Sequence, residues 1–290
     1  MNTPSRPRAT KIICTIGPAT DTSDMLGQLI EAGANVFRLN MSHSKHDWVR
    51  EVVFRIRRKA AELKANVAIL FDLQGPSIRT GDLMEPYHLK KGDTVEIRLG
   101  TAKPELPFST TVNYDGLLQD VQAGHTMVVD NGGILMRIAE VRPDRLICDV
   151  LTEGVFGSRR HINLPGVALR LPALTEKDLA DLAVAVECET DYVAMSFVRD
   201  AAHIAQLREH IDNLGGKAQI VAKIEDQQAV RHIDDIILAA DVIMVARGDL
   251  GIEVSIEELP IIQRRIVRHC HRLGRRCIVA VSYTHLRAHE

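Results

Sequence analysis

The hydrophobic pattern of this chain alternates between short apolar runs and longer segments in which apolar residues recur at helical spacing. Seven apolar runs have the length and residue types of buried strands: 11–17, 36–40, 67–73, 191–200, 219–226, 242–251 and 276–281. Helices are predicted between most of them, at about 21–33, 45–64, 175–186 and 255–273. Their capping signals are residues 21–23, Thr175 with Asp178, and Ser255 with Glu258. This alternation is typical of a parallel α/β architecture.

The segment 81–171 interrupts the alternation. It has no convincing helical period, and its short alternating segments at 94–99, 126–130, 134–141 and 145–151 are separated by turn-forming residues. We therefore predict a small all-β domain inserted between strands 3 and 4 of an α/β domain. The predicted boundaries are 1–80 and 172–281 for the α/β domain, 81–171 for the insertion and 282–290 for an aberrant tail. Since eight strands close a barrel, seven predict an incomplete (β/α)8 TIM-type barrel with an all-β insertion.

Composition and charge limit the classes of partner. The net charge of −2 argues against nucleic acid or a membrane surface as a global partner, and the hydrophobic fraction of 46 % is enough for a sizeable core. No apolar run approaches the ~20 residues needed to span a bilayer, and the first residues lack the apolar segment of a signal peptide. Five scattered cysteines without CxxC spacing favour reduced thiols. These features predict a cytoplasmic protein.

Charged side chains stand where the apolar runs end, and in (β/α)8 barrels the carboxyl ends of the strands carry the chemistry. Glu225 and Asp249 follow successive strands, so their carboxylates could hold one magnesium ion. Lys223 lies two residues before Glu225 and should share its face, where an ammonium could offset charge on a metal-bound phosphoryl group. The alternatives are two unrelated surface acids and a simple salt bridge between Lys223 and Glu225.

Other strand ends carry groups suited to phosphate or to a monovalent cation. Arg38 could bind phosphate in a bidentate manner, or it could pair with Asp72. Asn40, Ser42 and Asp72 bring hard oxygens from two neighbouring strand ends. These oxygens could surround a monovalent cation, but hydrogen bonding within the loops is the default interpretation.

Eight successive motifs resemble those of pyruvate kinases, in family order and over roughly residues 9–280. They are KIICTIGPAT, ANVFRLNMSHS, AILFDLQGPSIRTG, INLPG, LPALTEKD, AMSFVR, VAKIED and VARGDLGIE. KIED and ARGDLG at this spacing are highly specific. The resemblance implies a barrel interrupted by a β-rich domain. It also implies transfer of the phosphoryl group of phosphoenolpyruvate to ADP, giving pyruvate and ATP in glycolysis, with Mg²⁺ (or Mn²⁺) and usually K⁺. The full-length form would be a homotetramer.

The resemblance also implies roles for individual residues. Lys223 and Arg38 would be catalytic, the first stabilising the phosphoryl group in flight and the second clamping phosphate. Glu225 and Asp249 would bind magnesium, with the backbone of Gly248 and Asp249 near the substrate carboxylate.

The remaining implied roles fall into three sets. Ser196 and Phe197 would line the substrate pocket. The potassium site would be formed by Asn40, Ser42, Asp72 and the Leu73 carbonyl. The nucleotide side would comprise Pro18, Arg38, Asn40, His43, Arg79 and, from the inserted domain, Arg160.

Several positions depart from the family pattern. Ser77 stands where the family has Glu or Lys and supplies no charge, which predicts weak or unusual potassium activation. His161 replaces a usual glycine and is expected to alter the hinge of the inserted domain. After Val281 the family continues with a Thr-Gln-Met-Leu-like segment, and Thr284 does not align with that threonine. An open barrel would expose two strand edges and apolar surface, which predicts poor solubility and little activity.

Two further functional hypotheses remain open from sequence alone. One is another barrel enzyme that uses phosphoenolpyruvate or pyruvate, such as a lyase. The inserted domain and the nucleotide-side residues argue against it. The other is a fragment that binds phosphoenolpyruvate and metal, or other subunits, without turnover.

Overall fold

The computed structural model describes residues 9–281. In chain order the strands are β1 (Ile13–Ile16), β2 (Val36–Asn40), β3 (Ala68–Asp72), β4 (Tyr87–Leu89), β5 (Thr94–Arg98), β6 (Phe108–Thr111), β7 (Thr126–Val129), β8 (Ile134–Val141), β9 (Arg145–Val150), β10 (Gly154–Phe156), β11 (Ile162–Asn163), β12 (Tyr192–Met195), β13 (Gln219–Ile224), β14 (Val242–Ala246) and β15 (Arg276–Ala280). The helices are α1 (Ser23–Glu31), α2 (His46–Glu62), α3 (Leu117–Asp120), α4 (Glu176–Glu187), α5 (Ala201–Asn213), α6 (Gln227–Arg231), α7 (Ile233–Ala239), α8 (Arg247–Glu253) and α9 (Leu259–Arg272). None of the helices in this range is long and apolar enough to cross a membrane.

One seven-stranded sheet organises the chain, and all of its neighbouring strands are parallel. Its order is β1-β2-β3-β12-β13-β14-β15, so the whole β-rich insertion leaves after β3 and returns before β12. These are the third and fourth strands of the sheet, as predicted. Within residues 9–281, β1 and β15 are the outer strands and do not pair with each other. The predicted fold class, an incomplete TIM-type barrel, is confirmed.

The inserted segment forms two small sheets with a core of their own. A six-stranded sheet has the order β11-β7-β8-β9-β5-β6, and β4 pairs with β10. The sequence predicted β5, β7, β8 and β9 but not β4, β6, β10, β11 or helix α3. The missed elements have two to four residues, too few to show a hydrophobic period. The exact domain boundaries stay predictions, and the tail at 282–290 lies outside the described residues.

The core of the barrel sheet lies on both of its faces. Ile220 to Ile224 are all buried, as expected for a central parallel strand covered on both sides. One face packs against the helices through large side chains such as Phe37 and Phe71. On the other face Leu70, Val221 and Met244 meet in a smaller apolar cluster inside the curved sheet. Burial of both faces fixes the register, and with it the strand ends that hold the polar residues.

The helix caps agree with the sequence in two of three cases. Thr22 caps α1, within the predicted 21–23 region. Thr175 and Asp178 form the predicted capping box of α4. The prediction that Ser255 starts the last helix is wrong: α9 begins at Leu259, and the preceding Glu258 makes no side-chain cap. The Ser255 carbonyl instead accepts the N–H groups of Glu258 and Leu259 in a turn.

Candidate functional site

Lys223 is the centre of a buried polar cluster at the carboxyl ends of the strands. Only 9 % of its surface is exposed. Its Nζ lies 2.9 Å from Glu225 Oε1 and 3.2 Å from Asp72 Oδ1, and it donates to Ser196 Oγ at 2.7 Å. Three strands supply these groups because β3, β12 and β13 are neighbours. The salt bridge between Lys223 and Glu225, left open by the sequence, is present.

The electrostatics of this cluster keep the lysine charged. Burial by itself would lower the pKa of Lys223, but the carboxylates of Glu225 and Asp72 outweigh it and raise that pKa above its ordinary value. Burial raises the pKa of Glu225, the Lys223 charge lowers it and the Asp249 charge raises it; the net direction is upward. Lys223 is therefore an electrostatic group and a donor, and it is unsuited to act as a base at neutral pH.

The Glu225 carboxylate is also held from the neighbouring strand end. The backbone N–H of Phe197 donates to Glu225 Oε2 at 2.6 Å. Phe197 adopts φ +55°, a left-handed conformation that costs a bulky residue energy. This backbone conformation directs an N–H group at a carboxylate that the sequence predicts to bind metal.

A glycine and a helix cap support the Phe197 turn. Gly75 has φ +71°, and a Cβ there would lie 2.9 Å from both Ser196 Cβ and Phe197 Cδ2. The Gly75 N–H donates to Asp178 Oδ1 at 3.0 Å, while Asp178 Oδ2 accepts the backbone N–H of Thr175 at 2.8 Å. Asp178 thus caps α4 and anchors the loop after β3 with the same carboxylate.

Asp249 joins the cluster from the next strand. It lies in the first turn of α8, directly after β14, beside the exposed Gly248. Its charge raises the pKa values of both Lys223 and Glu225, which puts the three groups in one electrostatic neighbourhood. The described residues include no group of three or more His, Cys, Asp and Glu side chains arranged to hold a metal. Glu225 and Asp249 still fit magnesium, because this ion commonly takes one or two protein carboxylates and completes its shell with water and substrate.

Arg38 forms the ion pair with Asp72 that the sequence left as an alternative to phosphate binding. Arg38 Nε donates to Asp72 Oδ2 at 2.7 Å, and one terminal nitrogen donates to Thr15 Oγ1 at 2.9 Å. The guanidinium is partly exposed, whereas Asp72 is buried. Asp72 Oδ1 contacts Lys223 but accepts no hydrogen bond within the described chain. A buried carboxylate oxygen with a spare lone pair fits a cation, which is what the predicted potassium site requires.

The other predicted potassium ligands make hydrogen bonds within the protein. Asn40 Oδ1 accepts the backbone N–H of Ser42 at 3.2 Å. The Leu73 carbonyl accepts Ser196 Oγ at 2.8 Å. Asn40 pairs in register with Asp72, so the set lies together. For Asn40 and Ser42 the loop hydrogen bonding expected by default is what the structure has.

The predicted nucleotide-side residues divide into two groups. Pro18 and His43 are exposed just beyond the ends of β1 and β2. Arg79 donates from Nε to Ser77 Oγ at 3.2 Å and pairs in an isolated bridge with His161.

The adjoining Arg160 contacts Asp130 Oδ1 at 3.3 Å through one terminal nitrogen, and its Nε is buried without a partner in the described part of the chain. His161 packs its ring on that of Phe197, with centroids 5.9 Å apart. Burial, reinforced by Arg79, lowers the pKa of His161 to about 4, so its ring is neutral at pH 7. This contact joins the inserted domain to the turn that holds Glu225.

The sequence did not reveal the residues that support the Phe197 turn. Asp178 was predicted only as a helix cap and Gly75 was given no role, although both fall inside the motifs singled out above. The positive φ of Phe197 had no signal in its residue type.

Fold and cluster together define a class of protein: an α/β barrel with a buried lysine among carboxylates at the carboxyl ends of its strands. The family model described as "Pyruvate kinase, barrel domain" matches residues 7–285. The chain therefore belongs to the pyruvate kinase family, as the resemblance predicted.

Named relatives agree with this family. Plastidial pyruvate kinase 2 of Arabidopsis thaliana is 40 % identical over 282 residues, which are 96 % of this chain and 48 % of that protein. Pyruvate kinase of Clostridium perfringens is 39 % identical and covers 94 % of this chain and 58 % of its own length. Pyruvate kinase of Geobacillus stearothermophilus is 40 % identical, with 95 % and 47 % covered. The chain spans about half the length of these relatives.

Proposed function

We propose that this chain carries the phosphoryl-transfer site of a pyruvate kinase, which moves the phosphoryl group of phosphoenolpyruvate to ADP and yields pyruvate and ATP. The observation that carries the proposal is the Lys223 cluster: one buried ammonium touching Glu225 and Asp72, with Asp249 close by. Phosphoryl transfer needs positive charge around the oxygens of the moving group. Family membership supplies the reaction class.

The proposed division of labour follows from charge and position. Lys223 stabilises the phosphoryl group as it passes between the two oxygens, because its ammonium is fixed, buried and charged. Arg38 clamps phosphate with the part of its guanidinium that faces outward. Glu225 and Asp249 are the proposed magnesium ligands, and bound Mg²⁺ or Mn²⁺ would neutralise phosphate charge and orient the substrate. The Gly248 backbone is proposed to approach the substrate carboxylate.

The remaining roles are proposed on position alone. Ser196 and Phe197 border the cluster and would line the substrate pocket. Arg160 approaches from the inserted domain and Arg79 from the barrel segment just before it, while Pro18 and His43 stand at the ends of neighbouring barrel strands. All four are proposed nucleotide contacts. Potassium would sit near Asp72 Oδ1. Assembly into a homotetramer and location in the cytoplasm are proposed for the full-length form.

A coupled assay for pyruvate separates the candidate functions. Pyruvate kinase activity requires phosphoenolpyruvate, ADP and a divalent cation together. Pyruvate release without ADP would indicate a lyase or phosphatase reaction instead. The second candidate is a fragment that binds metal and phosphoenolpyruvate without turnover. It is favoured by the two outer strands of the sheet, which do not pair with each other within residues 9–281. Phosphoenolpyruvate binding measured by calorimetry, with no pyruvate formed, would select it.

A further inference from the structure

A cavity of about 300 Å³ lies beside the Lys223 cluster, between the barrel and the segment that leads out of the inserted domain. We call residues 161–171 the return segment. It forms one wall, and the loops after β12 and β13 together with the end of α8 form the other. Glu253, the last residue of α8, also lines the cavity. None of the roles proposed above uses its carboxyl group.

Glu253 faces the return segment across this cavity. It lines the cavity together with Asn163 and Gly166, and both of these residues act on the pKa of its carboxyl group in the lowering direction. Its own carbonyl accepts Gln227 Nε2, from the helix that follows Glu225. Glu253 therefore lies where three parts of the molecule meet: the helix of Asp249, the helix that follows Glu225 and the return segment.

The side-chain oxygen of Asn163 is buried and unpaired. Asn163 is 7 % exposed, and its Oδ1 has no hydrogen-bond partner anywhere in residues 9–281. A carboxylate can accept from an amide but has no proton to give to Oδ1. A protonated carboxyl group could do both and form a reciprocal pair with the amide. Asn163 Oδ1 is thus an acceptor that the protonated carboxyl group of Glu253 could use.

We propose that Glu253 is a proton-sensitive latch, whose protonated form holds the return segment of the inserted domain against the barrel through Asn163. The inference extends the proposed function, since it concerns how the inserted domain is held over that site, but its test needs no turnover. When Glu253 is ionised, Asn163 Oδ1 has no donor, and the negative charges of Glu253 and Asp226 repel each other.

The protonation equilibrium gives the direction of the effect. Burial, reinforced by the Asp226 charge, raises the pKa of Glu253 to about 7, while Asn163 and Gly166 act in the lowering direction. Release of the return segment would return the carboxyl to water and its pKa towards the ordinary value. The closed form therefore binds a proton more tightly than the open form, so opening is favoured as pH rises.

Other ionisable groups line the same cavity and are potential sources of a pH response. They are Glu225, Asp226, Arg199, Arg231, His232 and His161, from the barrel and the return segment. Arginines keep their charge at these pH values, and His161 is neutral because burial lowers its pKa to about 4. His232, whose Nδ1 lies 3.1 Å from the Arg199 carbonyl, needs a control variant.

Hydrogen–deuterium exchange of the return segment, without added divalent cation, tests the latch. After correction for intrinsic rates, exchange should be about tenfold faster at pH 8.5 than at pH 6, as linkage predicts for these two pKa values. Glu253→Gln can make the reciprocal amide pair at any pH, so its segment should exchange slowly at both. Asn163→Ala removes the partner, and its segment should exchange quickly at both.

Two controls make the result decisive. Glu257→Gln changes an exposed carboxylate nearby in the sequence and should keep the wild-type pH response, as should His232→Gln. A flat or reversed wild-type response overturns the proposal, and so does an undiminished response in Glu253→Gln. Loss of the response in His232→Gln alone would assign it to the histidine. None of these results depends on whether the chain makes pyruvate, which keeps the latch separable from the proposed function.

Discussion

The backbone N–H of Phe197 donates to the carboxylate of Glu225 at 2.6 Å, across the boundary between two neighbouring strands. A proposed metal ligand is therefore oriented by a backbone group, and that group is oriented by a left-handed turn. Such a turn persists only where its surroundings enforce it. Its integrity should govern the affinity of the site for a divalent cation.

Gly75→Ala should disturb this turn most directly. The added methyl group would stand 2.9 Å from Ser196 Cβ and Phe197 Cδ2 at a positive φ, which should cost about 2–4 kcal/mol of unfolding free energy. Urea denaturation measures the loss, and Mn²⁺ binding by electron paramagnetic resonance should weaken in parallel. Gly124→Ala is the matched control, since it also has a positive φ but open space around it. Equal losses in both variants would show that the close approach to Phe197 has no part in the effect.

Lys223→Met should abolish phosphoryl transfer while sparing metal binding. The variant removes the only ammonium in contact with Glu225 and Asp72 among the described residues, so pyruvate formation should fall by at least ~10³-fold. Mn²⁺ affinity should be equal or tighter, because two carboxylates lose their competing cation. The coupled pyruvate assay and Mn²⁺ titration measure the two effects. Lys217→Met, an exposed lysine, is the control, and substantial turnover in Lys223→Met would reject the proposed role.

Potassium should have little effect on the wild-type rate. Ser77 brings no charge, and the ammonium of Lys223, 3.2 Å from the proposed ligand atom Asp72 Oδ1, competes with the ion for that oxygen. Rates in potassium and in tetramethylammonium buffers should agree within about fivefold, the factor that ~1 kcal/mol of partly exposed electrostatics allows. Ser77→Glu should increase the potassium response. A large potassium requirement in the wild-type chain would contradict this account.

The stability of the protein should depend on Glu253 as pH changes. The folded-state pKa is about 7, above the ordinary 4.5, so between these values the folded state binds the extra proton and stability falls as pH rises. Glu253→Gln should therefore gain unfolding free energy relative to wild type on going from pH 5 to pH 8, by about 1–3 kcal/mol. Urea denaturation at the two pH values measures the difference. A gain of the same size in Glu257→Gln would show that it does not arise at the cavity.

The sequence predicted what regular patterns determine. Apolar runs were predicted to be strands, and each ends in a polar residue such as Arg38, Asp72, Glu225 or Asp249. Because the strands are parallel, their carboxyl ends lie together at one edge of the sheet. The break in helical period was enough to predict the insertion between the third and fourth strands.

The remaining features depend on contacts between residues far apart in the chain. Ser255 has the residue type of a cap, but backbone hydrogen bonds turn the chain before α9 begins. The ion pairs of Arg38 with Asp72 and of Lys223 with Glu225 were named only as alternatives, since a basic side chain at a strand end suits either an ion pair or a bound anion. The contact of Lys223 with Asp72 was not predicted. The link between Glu253 and Asn163 joins residues 90 positions apart in the chain and has no local pattern.

Asp178 couples the start of helix α4 to the loop after β3. One carboxylate completes the first turn of α4 and fastens the loop after β3 through Gly75. Melting the start of that helix would therefore release the loop that lets Phe197 reach Glu225. A substitution such as Asp178→Asn, which changes no proposed ligand, should weaken both the helix start and the metal site, so evolution could not retune one without affecting the other.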